Sequence, residues 1–177
     1  MKLLFLDIDG VLNSTQSTHY YWLKNGRRTV FLDETMFCPS ACANLSKLCE
    51  NIPDLRVVLS STWRIKHSPK YMENILDKFW YVDKIKFVGA TPTLYGEHRG
   101  TEILTYLQVD KYLDGKVNNM LILDDDNDMT IFKDTDFFLH VDGNIGFDHY
   151  ACLKAIEHLK KDYTNELKEL IKCQTTG

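Results

Sequence analysis

The sequence predicts an α/β protein built on a parallel sheet, and two observations support this fold class. Short apolar runs alternate with longer segments of helical periodicity along all 177 residues. Such alternation is typical of parallel strands that are joined by right-handed crossovers through helices. The chain is long enough for one α/β domain but too short for two, and no repeat, linker or low-complexity tract divides it. We therefore expect a single domain over residues 1–177.

The apolar runs give the positions of the strands, and the segments between them give the positions of the helices. Strands are predicted at about 2–7, 55–60, 85–88, 120–123 and 137–141. Helices are predicted from near Pro39, from Ser68 and Pro69, over about 101–107, and over about 148–173 with a break near 160–162. Ser68 suits a helix cap and Pro69 suits the first helical position.

A hairpin is predicted between the first strand and the first helix, at about 13–37. Asn25 and Gly26 stand there between two β-prone runs that carry several aromatic residues. Asn-Gly in this setting is a strong hairpin signal.

The segment of residues 7–11 is the most informative stretch of the chain. Asp7 and Asp9 follow the first strand directly and are two residues apart, so their side chains point the same way. Gly10 permits a sharp exit turn. Crowded like charges are costly unless a cation lies between them, which favours a Mg²⁺ site where one carboxylate attacks and the other handles the proton. Taken alone, the motif also fits a simple Asp-Gly turn after a buried strand.

Polar residues follow two further strands. Ser60 and Ser61 end the second strand, and an aspartate-rich run from Asp124 to Asp128 follows the fourth. The carboxyl ends of parallel strands form the edge at which open α/β sheets bind ligands. Three such ends together favour a functional site over a turn.

At these residues the sequence resembles the haloacid-dehalogenase (HAD) superfamily, whose members are mostly aspartate-nucleophile phosphatases. The first family motif corresponds to residues 7–11, the second to the Ser60/Ser61 pair, and the fourth to Asp124 and Asp128 with three residues between them. The stretches Leu-Ser-Ser-Thr-Trp-Arg at 59–64, Arg-Gly-Thr-Glu-Ile at 99–103 and Leu-Asp-Asp-Asp at 123–126 are similar to the small HAD domain of Swiss-army-knife RNA repair proteins.

The resemblance covers nearly the whole chain and implies a HAD-like, Rossmannoid parallel sheet with helices on both faces. It also implies that the hairpin is a short flap over the active site. The insertion is too short to form a separate cap domain. We therefore expect an open active site, which suits a large substrate or one that a partner presents.

The resemblance assigns roles to the acidic residues. Asp7 is implied to attack phosphorus and to become a transient aspartyl phosphate. Asp9 is implied to protonate the leaving oxygen and then to activate water for hydrolysis. Asp7, Asp9 and Asp124 would hold Mg²⁺, with Asp128 close by or bound through water.

A hydroxyl and a fixed cation are expected to hold the transferring phosphoryl group. Counting from the end of the apolar run favours Ser60 as the hydroxyl, whereas alignment on the tryptophan that follows favours Ser61, so both remain candidates. For the cation the resemblance favours Arg99, which opens the helix before the aspartate-rich strand. Lys84 and Lys86 are the alternatives.

Basic and aromatic residues are predicted to flank the site. Arg64 follows the serine motif, and Trp22 and Arg27 lie on the predicted hairpin. Aromatic rings stack on bases while basic groups follow phosphates, so these residues and Gly10 are candidate substrate contacts. Hairpins also commonly carry aromatics on one face and solvated charges on the other, which is the structural alternative.

Composition limits the functional classes that need to be considered. The net charge of −4 argues against a polyanion binder as a whole, and no apolar run approaches the length of a membrane span. The five cysteines are scattered, and Cys38, Cys42 and Cys49 share one helix face without a histidine or CxxC partner. We expect buried reduced thiols there rather than a zinc site, and a cytoplasmic location.

The sequence thus favours a Mg²⁺-dependent phosphomonoesterase whose substrate is a phosphorylated small molecule or a nucleic-acid end. The alternative is a HAD-fold module that binds phosphate or a partner without turnover. The presence of both Asp7 and Asp9 argues against that alternative. Dehalogenation and phosphomutase chemistry stay open, although a dehalogenase would not need the second acid.

Overall fold

The computed structural model, which describes residues 1–25, 37–80, 82, 85–109 and 117–173, contains a five-stranded sheet whose strand pairs are all parallel. The strands are β1 (Lys2–Leu6), β2 (Leu55–Leu59), β3 (Phe87–Ala90), β4 (Asn119–Asp124) and β5 (Phe138–His140). Their order in the sheet is β3-β2-β1-β4-β5, so β1 is central. The predicted α/β class and the five predicted strands are confirmed.

Six α-helices lie in the described part of the chain. They are α1 (Thr15–Asn25), α2 (Pro39–Asn51), α3 (Pro69–Trp80), α4 (Arg99–Val109), α5 (His149–Lys160) and α6 (Thr164–Cys173). The four predicted helical segments are confirmed, including the start of α3, where the Ser68 hydroxyl accepts a hydrogen bond from the backbone N–H of Tyr71 at 3.2 Å.

The predicted break in the last helical segment is also confirmed. The side-chain amide of Asn119 donates to the carbonyls of His158 at 2.7 Å and Lys161 at 3.1 Å, which ends α5. The carboxylate of Asp162 then accepts from the backbone N–H of Thr164 at 2.9 Å and caps α6.

Helices cover both faces of the sheet, as the resemblance implied. Leu4 and Leu6 of β1 are fully buried against α2, α3 and α5, whereas Leu3 and Phe5 are fully buried against α4 and α6. A central parallel strand is buried on both faces and therefore reads as a continuous apolar run. None of the described helices has the length and apolar character that crossing a membrane requires.

The first arm of the predicted hairpin is wrong, because residues 15–25 form α1. The Ser14 hydroxyl accepts a hydrogen bond from the backbone N–H of Ser17 at 3.2 Å, which caps this helix. The N–H groups of Thr15 and Gln16 donate to the carbonyls of Gly143 and Asn144, at 3.0 and 3.2 Å. These distant partners satisfy the first turn and favour a helix over a strand. The second arm lies in residues 26–36, outside the described residues.

The cysteines of α2 behave as buried thiols. Cys42 and Cys49 are 1% and 4% exposed, and burial raises the pKa of both thiols. Cys38 is half-buried just before the helix. In the described residues no group of potential metal ligands includes a cysteine.

The strand register brings three polar strand ends together. Leu6 is paired with Leu59 on one side and with Leu123 on the other. The next residue of β1, Asp7, donates its N–H to the carbonyl of Leu123, and Ser60 donates its N–H to the carbonyl of Leu6, each at 3.0 Å. Asp7, Ser60 and Asp124 therefore begin the same edge of the sheet.

Candidate active site

Three carboxylates meet at this edge. Asp7, Asp124 and Asp125 each offer an oxygen, and these oxygens lie within 4.8 Å of one another. Asp7 is 4% exposed and Asp124 is fully buried. Such crowding is costly without compensating positive charge.

Burial and mutual repulsion disfavour the charged forms of these carboxylates. Burial raises the pKa of Asp7 to about 6, although Arg99 and a hydrogen bond from the Ser61 side chain oppose the rise. Burial and the neighbouring charge of Asp7 raise the pKa of Asp124 to about 8. Burial also raises the pKa of Asp125. A cation between these carboxylates would therefore stabilise their ionised forms.

Arg99 is the cation that the protein itself supplies. Its Nη1 lies 3.0 Å from Asp7 Oδ1 and donates to the carbonyl of Ser60 at 2.5 Å. Its Nε lies 3.3 Å from Asp124 Oδ2, but this oxygen has no hydrogen bond, so the contact is an ion pair without hydrogen-bond geometry. Although burial opposes its charge, the carboxylates of Asp7 and Asp124 raise the pKa of Arg99. The structure thus brings the predicted cation to the predicted nucleophile.

The two alternative cations do not replace Arg99. Lys86 is exposed and does not line the cleft described below, and Lys84 lies outside the described residues.

Asp9 lies apart from the three-carboxylate cluster. Its two oxygens accept hydrogen bonds from Trp63 Nε1 at 3.1 and 3.0 Å, and Oδ1 also accepts from Asn13 Nδ2 at 2.7 Å. The Asp9 carboxylate is therefore not one of the three clustered carboxylates, among which Asp125 stands instead, and its predicted part in metal binding stays a prediction. Its role as acid and base stays a prediction.

Asp128 is likewise not one of the three clustered carboxylates, and its predicted place, close to the metal or bound to it through water, stays a prediction. Its Oδ2 accepts from the backbone N–H of Arg99 at 3.1 Å, and its carbonyl accepts from Gly100 N at 3.2 Å. Asp128 therefore holds the first turn of α4, where a carboxylate also interacts favourably with the helix dipole. Through Oδ2 it fixes the position of Arg99, while its Oδ1 is buried without a hydrogen-bond partner.

Asp125 takes the third place in the cluster, and the sequence left its role undecided between site and solvent. Two glycines make room for it. A Cβ on Gly10, whose φ is +73°, would lie 2.1 Å from Asp125 Cγ, and a Cβ on Gly143 would lie 2.3 Å from Asp125 Oδ2. The predicted contact of Gly10 with substrate stays a prediction, and the structure shows that Gly10 leaves the space that Asp125 occupies. Gly143 and Asp125 are 18 positions apart in the sequence, so no local pattern indicates that they are in contact.

The structure distinguishes the two serines. A hydrogen bond from the Ser61 side chain opposes the rise that burial causes in the pKa of Asp7, which places this hydroxyl beside the predicted nucleophile. The Ser60 hydroxyl is buried without a hydrogen-bond partner, while its carbonyl accepts from Arg64 and Arg99. This geometry favours Ser61 for contact with a phosphoryl group.

The predicted substrate contact at Arg64 needs correction. Arg64 Nη2 lies 2.5 Å from Glu102 Oε2, and Nη1 donates to the carbonyls of Ser60 and Ser61 at 2.6 and 2.9 Å. The side chain is only 6% exposed. Both terminal nitrogens of its guanidinium hold the serine loop and α4, Nε is buried without a hydrogen-bond partner, and the residue does not line the cleft.

An open cleft of about 860 Å³ lies above the carboxylates. Its floor and walls come from the ends of β1 and β4, the loop after β5, and one face of α1. The described residues that line it are Asp7, Asp9, Gly10, Asn13, Thr15, Thr18, His19, Trp22, Arg99, Asp124, Asp125, Asp126, Gly143 and Asn144. Trp22 therefore borders the site as predicted, on a helix instead of a hairpin, and His19 joins it unpredicted. Arg27 lies outside the described residues.

The donor set suits a hard divalent cation. Mg²⁺ prefers carboxylate oxygens, and Asp7, Asp124 and Asp125 offer three of them beside a buried Asp124 oxygen that lacks a hydrogen-bond partner. A cation there would offset the repulsion that raises the pKa of Asp124.

Comparison with known proteins agrees with this geometry. A family model described as "HAD domain in Swiss Army Knife RNA repair proteins" matches residues 3–152, which include all the described residues that line the cleft. No curated protein and no solved structure matches the chain.

Proposed function

Because the chain belongs to the family of HAD domains in Swiss Army Knife RNA repair proteins, which points to phosphatase-type chemistry, we propose that it is a Mg²⁺-dependent phosphomonoesterase acting on nucleotide or nucleic-acid ends. One observation supports this proposal most directly. Asp7 lies on the floor of an open cleft, ion-paired with Arg99 and crowded by two further carboxylates. This is an arrangement suited to an aspartate that attacks a phosphate held by a cation.

In the first step, a carboxylate oxygen of Asp7 attacks phosphorus and forms an O–P bond. The bond from phosphorus to the ester oxygen breaks, and its electron pair stays on that oxygen. Protonated Asp9 donates its proton to this leaving oxygen, which departs as an alcohol. Arg99 and the Ser61 hydroxyl stabilise the negative charge on the phosphoryl oxygens. The product is an aspartyl phosphate on Asp7.

In the second step, the Asp9 carboxylate removes a proton from water as the water oxygen attacks phosphorus. The bond from phosphorus to Asp7 breaks, which restores the Asp7 carboxylate and releases inorganic phosphate. Asp9 is protonated again and ready for the next turnover. Asp7, Asp124 and Asp125 would hold Mg²⁺, whose charge would offset that of the carboxylates and the phosphoryl group.

The replacement Asp7→Asn tests the nucleophile. We expect it to lower phosphate release by at least about a thousandfold, because the amide cannot form the phosphoenzyme. Phosphate release would be measured with Mg²⁺ on p-nitrophenyl phosphate, mononucleotides, and 3′- and 5′-phosphorylated oligonucleotides.

The matched control is Asp134→Asn, which removes an exposed carboxylate that does not line the cleft. It should retain wild-type turnover, and thermal denaturation should show both variants folded. Wild-type rates in Asp7→Asn would refute the proposed nucleophile. A folded wild-type protein that binds Mg²⁺ but hydrolyses none of these substrates would instead favour a HAD-fold module that binds phosphate without turnover.

A further inference from the structure

We propose that the cleft face of α1 binds the base of a nucleoside monophosphate, with Trp22 and His19 as the ring contacts. The proposal rests on the function proposed above, since it places the ester phosphate at Asp7. It narrows the substrate from phosphate esters in general to a nucleoside that carries one phosphate.

The first line of support is the face that α1 turns toward the cleft. Thr15, Thr18, His19 and Trp22 all line it, and they follow the spacing of one helical stripe. Trp22 is 41% exposed where it lines the cleft, so its ring is accessible to a ligand. An exposed indole beside an imidazole offers flat surfaces on which a base can stack.

The second line of support is the placement of this helix relative to the carboxylates. Thr15 N donates to the carbonyl of Gly143, whose Cα packs directly against Asp125, so α1 begins beside the acidic cluster. Trp22 follows about 10 Å further along the helix at 1.5 Å per residue. This separation suits a nucleoside, whose sugar lies between the phosphate and the base.

The third line of support is charge. Five of the described residues that line the cleft are aspartates, whereas Arg99 is their only arginine or lysine. Arg99 is already paired with Asp7 and Asp124, and Arg64 is buried against Glu102. In the described part of the protein, the cleft therefore offers a nucleic-acid strand mostly carboxylates and no row of basic residues for its successive phosphates. A single phosphate needs only Arg99 and the cation that the carboxylates would hold.

Substrate comparison tests the subsite. The kcat/KM values of adenosine and uridine monophosphates would be measured against ribose 5-phosphate, which has the sugar and phosphate but no base. We expect the nucleotides to be preferred by about tenfold or more, since stacking of one base on an aromatic ring is worth that factor. Trp22→Ala should reduce this preference ratio at least fivefold, and Trp22→Phe should restore most of it.

Tyr20→Ala is the matched control, because Tyr20 is a 67% exposed aromatic residue on the same helix that does not line the cleft. It should keep the wild-type ratio. Equal kcat/KM for nucleotides and ribose 5-phosphate, or an unchanged ratio in Trp22→Ala, would overturn the subsite. A tenfold preference for phosphorylated oligonucleotides that falls steeply with salt would overturn the single-phosphate part.

A binding measurement separates this proposal from the proposed function. Calorimetric titration of Asp7→Asn with adenosine monophosphate and Mg²⁺ should show binding that becomes at least fivefold weaker when Trp22→Ala is added. If this binding is seen but the wild-type protein hydrolyses none of the substrates, the phosphatase is rejected and the subsite is kept. Turnover by the wild-type protein, with no effect of Trp22→Ala on binding, would keep the phosphatase and reject the subsite.

Discussion

The indole of Trp63 holds the carboxylate of Asp9 at the edge of the cleft. Its Nε1 lies 3.1 and 3.0 Å from the two carboxylate oxygens. The ring is 8% exposed and packs between Phe37 and His67, each with ring centroids 5.4 Å away. Because the indole cannot move easily, it fixes the direction in which Asp9 faces. Trp63 is therefore a positioning residue for the proposed acid and base.

Trp63→Phe should separate this positioning role from packing. The phenyl ring keeps an aromatic side chain but removes the N–H donor, so we expect kcat to fall by about tenfold with little change in KM. Phe37→Leu disturbs the same aromatic packing without touching Asp9, and it should lower the melting temperature while kcat stays near wild type. Equal kcat losses in the two variants would show that packing alone matters.

The meeting of Asp7 and Asp124 could be predicted from the sequence, because adjacent parallel strands place their carboxyl ends side by side, whereas Arg99 was assigned from the family resemblance. The choice between Asp125 and Asp128 could not. It depends on the space left by Gly143 and on the bond from Arg99 N to Asp128, neither of which follows from local spacing.

At the scale of elements, the loop after β2 and the start of α4 are joined by two guanidinium groups. Arg64 and Arg99 both donate to the carbonyl of Ser60, at 2.6 and 2.5 Å. Glu102 of α4 pairs with Arg64 at 2.5 Å and accepts from Leu94 N at 2.9 Å. This buried contact holds the serine loop against the helix that carries Arg99. No local pattern indicates this contact, since Arg64 and Glu102 are 38 residues apart.

Glu102→Gln should destabilise the protein by about 3 kcal/mol, because the neutral amide leaves the Arg64 charge buried without a counter-charge. Urea denaturation would measure the free energy of unfolding. Glu157→Gln is the control, because it removes a carboxylate from an exposed ion pair. Glu157 is 75% exposed and lies 3.6 Å from the half-exposed Lys161, and such a pair contributes less than about 0.5 kcal/mol to the free energy of unfolding. Similar losses in both variants would contradict the structural role assigned to Glu102.

The elements themselves differ in how well the sequence predicts them. The buried strands were predicted because residues such as Leu4 and Phe5 are apolar on both faces of the sheet. Helix α1 was not, because the Asn-Gly signal near its end is local, whereas its first turn is satisfied by Gly143 and Asn144 more than a hundred positions away. Tertiary partners outweighed a local turn signal.

At the scale of the whole molecule, two apolar clusters pack against opposite faces of the sheet. The crowded carboxylates at the edge of this sheet lower the free energy of unfolding when they are ionised. Burial and like charges raise the pKa of Asp7 to about 6 and that of Asp124 to about 8, from an ordinary value of 3.8. At a pH between 3.8 and the raised pKa of each group, the folded protein keeps a proton that the unfolded chain has released. The contribution of the two groups to stability is therefore greatest below about pH 4 and declines as the pH rises toward 8.

Without divalent cations, we expect the site to lose on the order of 5 kcal/mol of stability between pH 5 and pH 8, because both carboxylates must ionise while buried. Thermal denaturation of wild type and Asp124→Asn across this pH range would measure this loss. The melting temperature of the variant should rise relative to that of wild type as the pH increases. Mg²⁺ should raise the wild-type melting temperature more at pH 8 than at pH 5, since only the ionised carboxylates bind the cation. Asp134→Asn should follow wild type throughout. Parallel curves for wild type and Asp124→Asn would show that the acidic cluster carries no such cost.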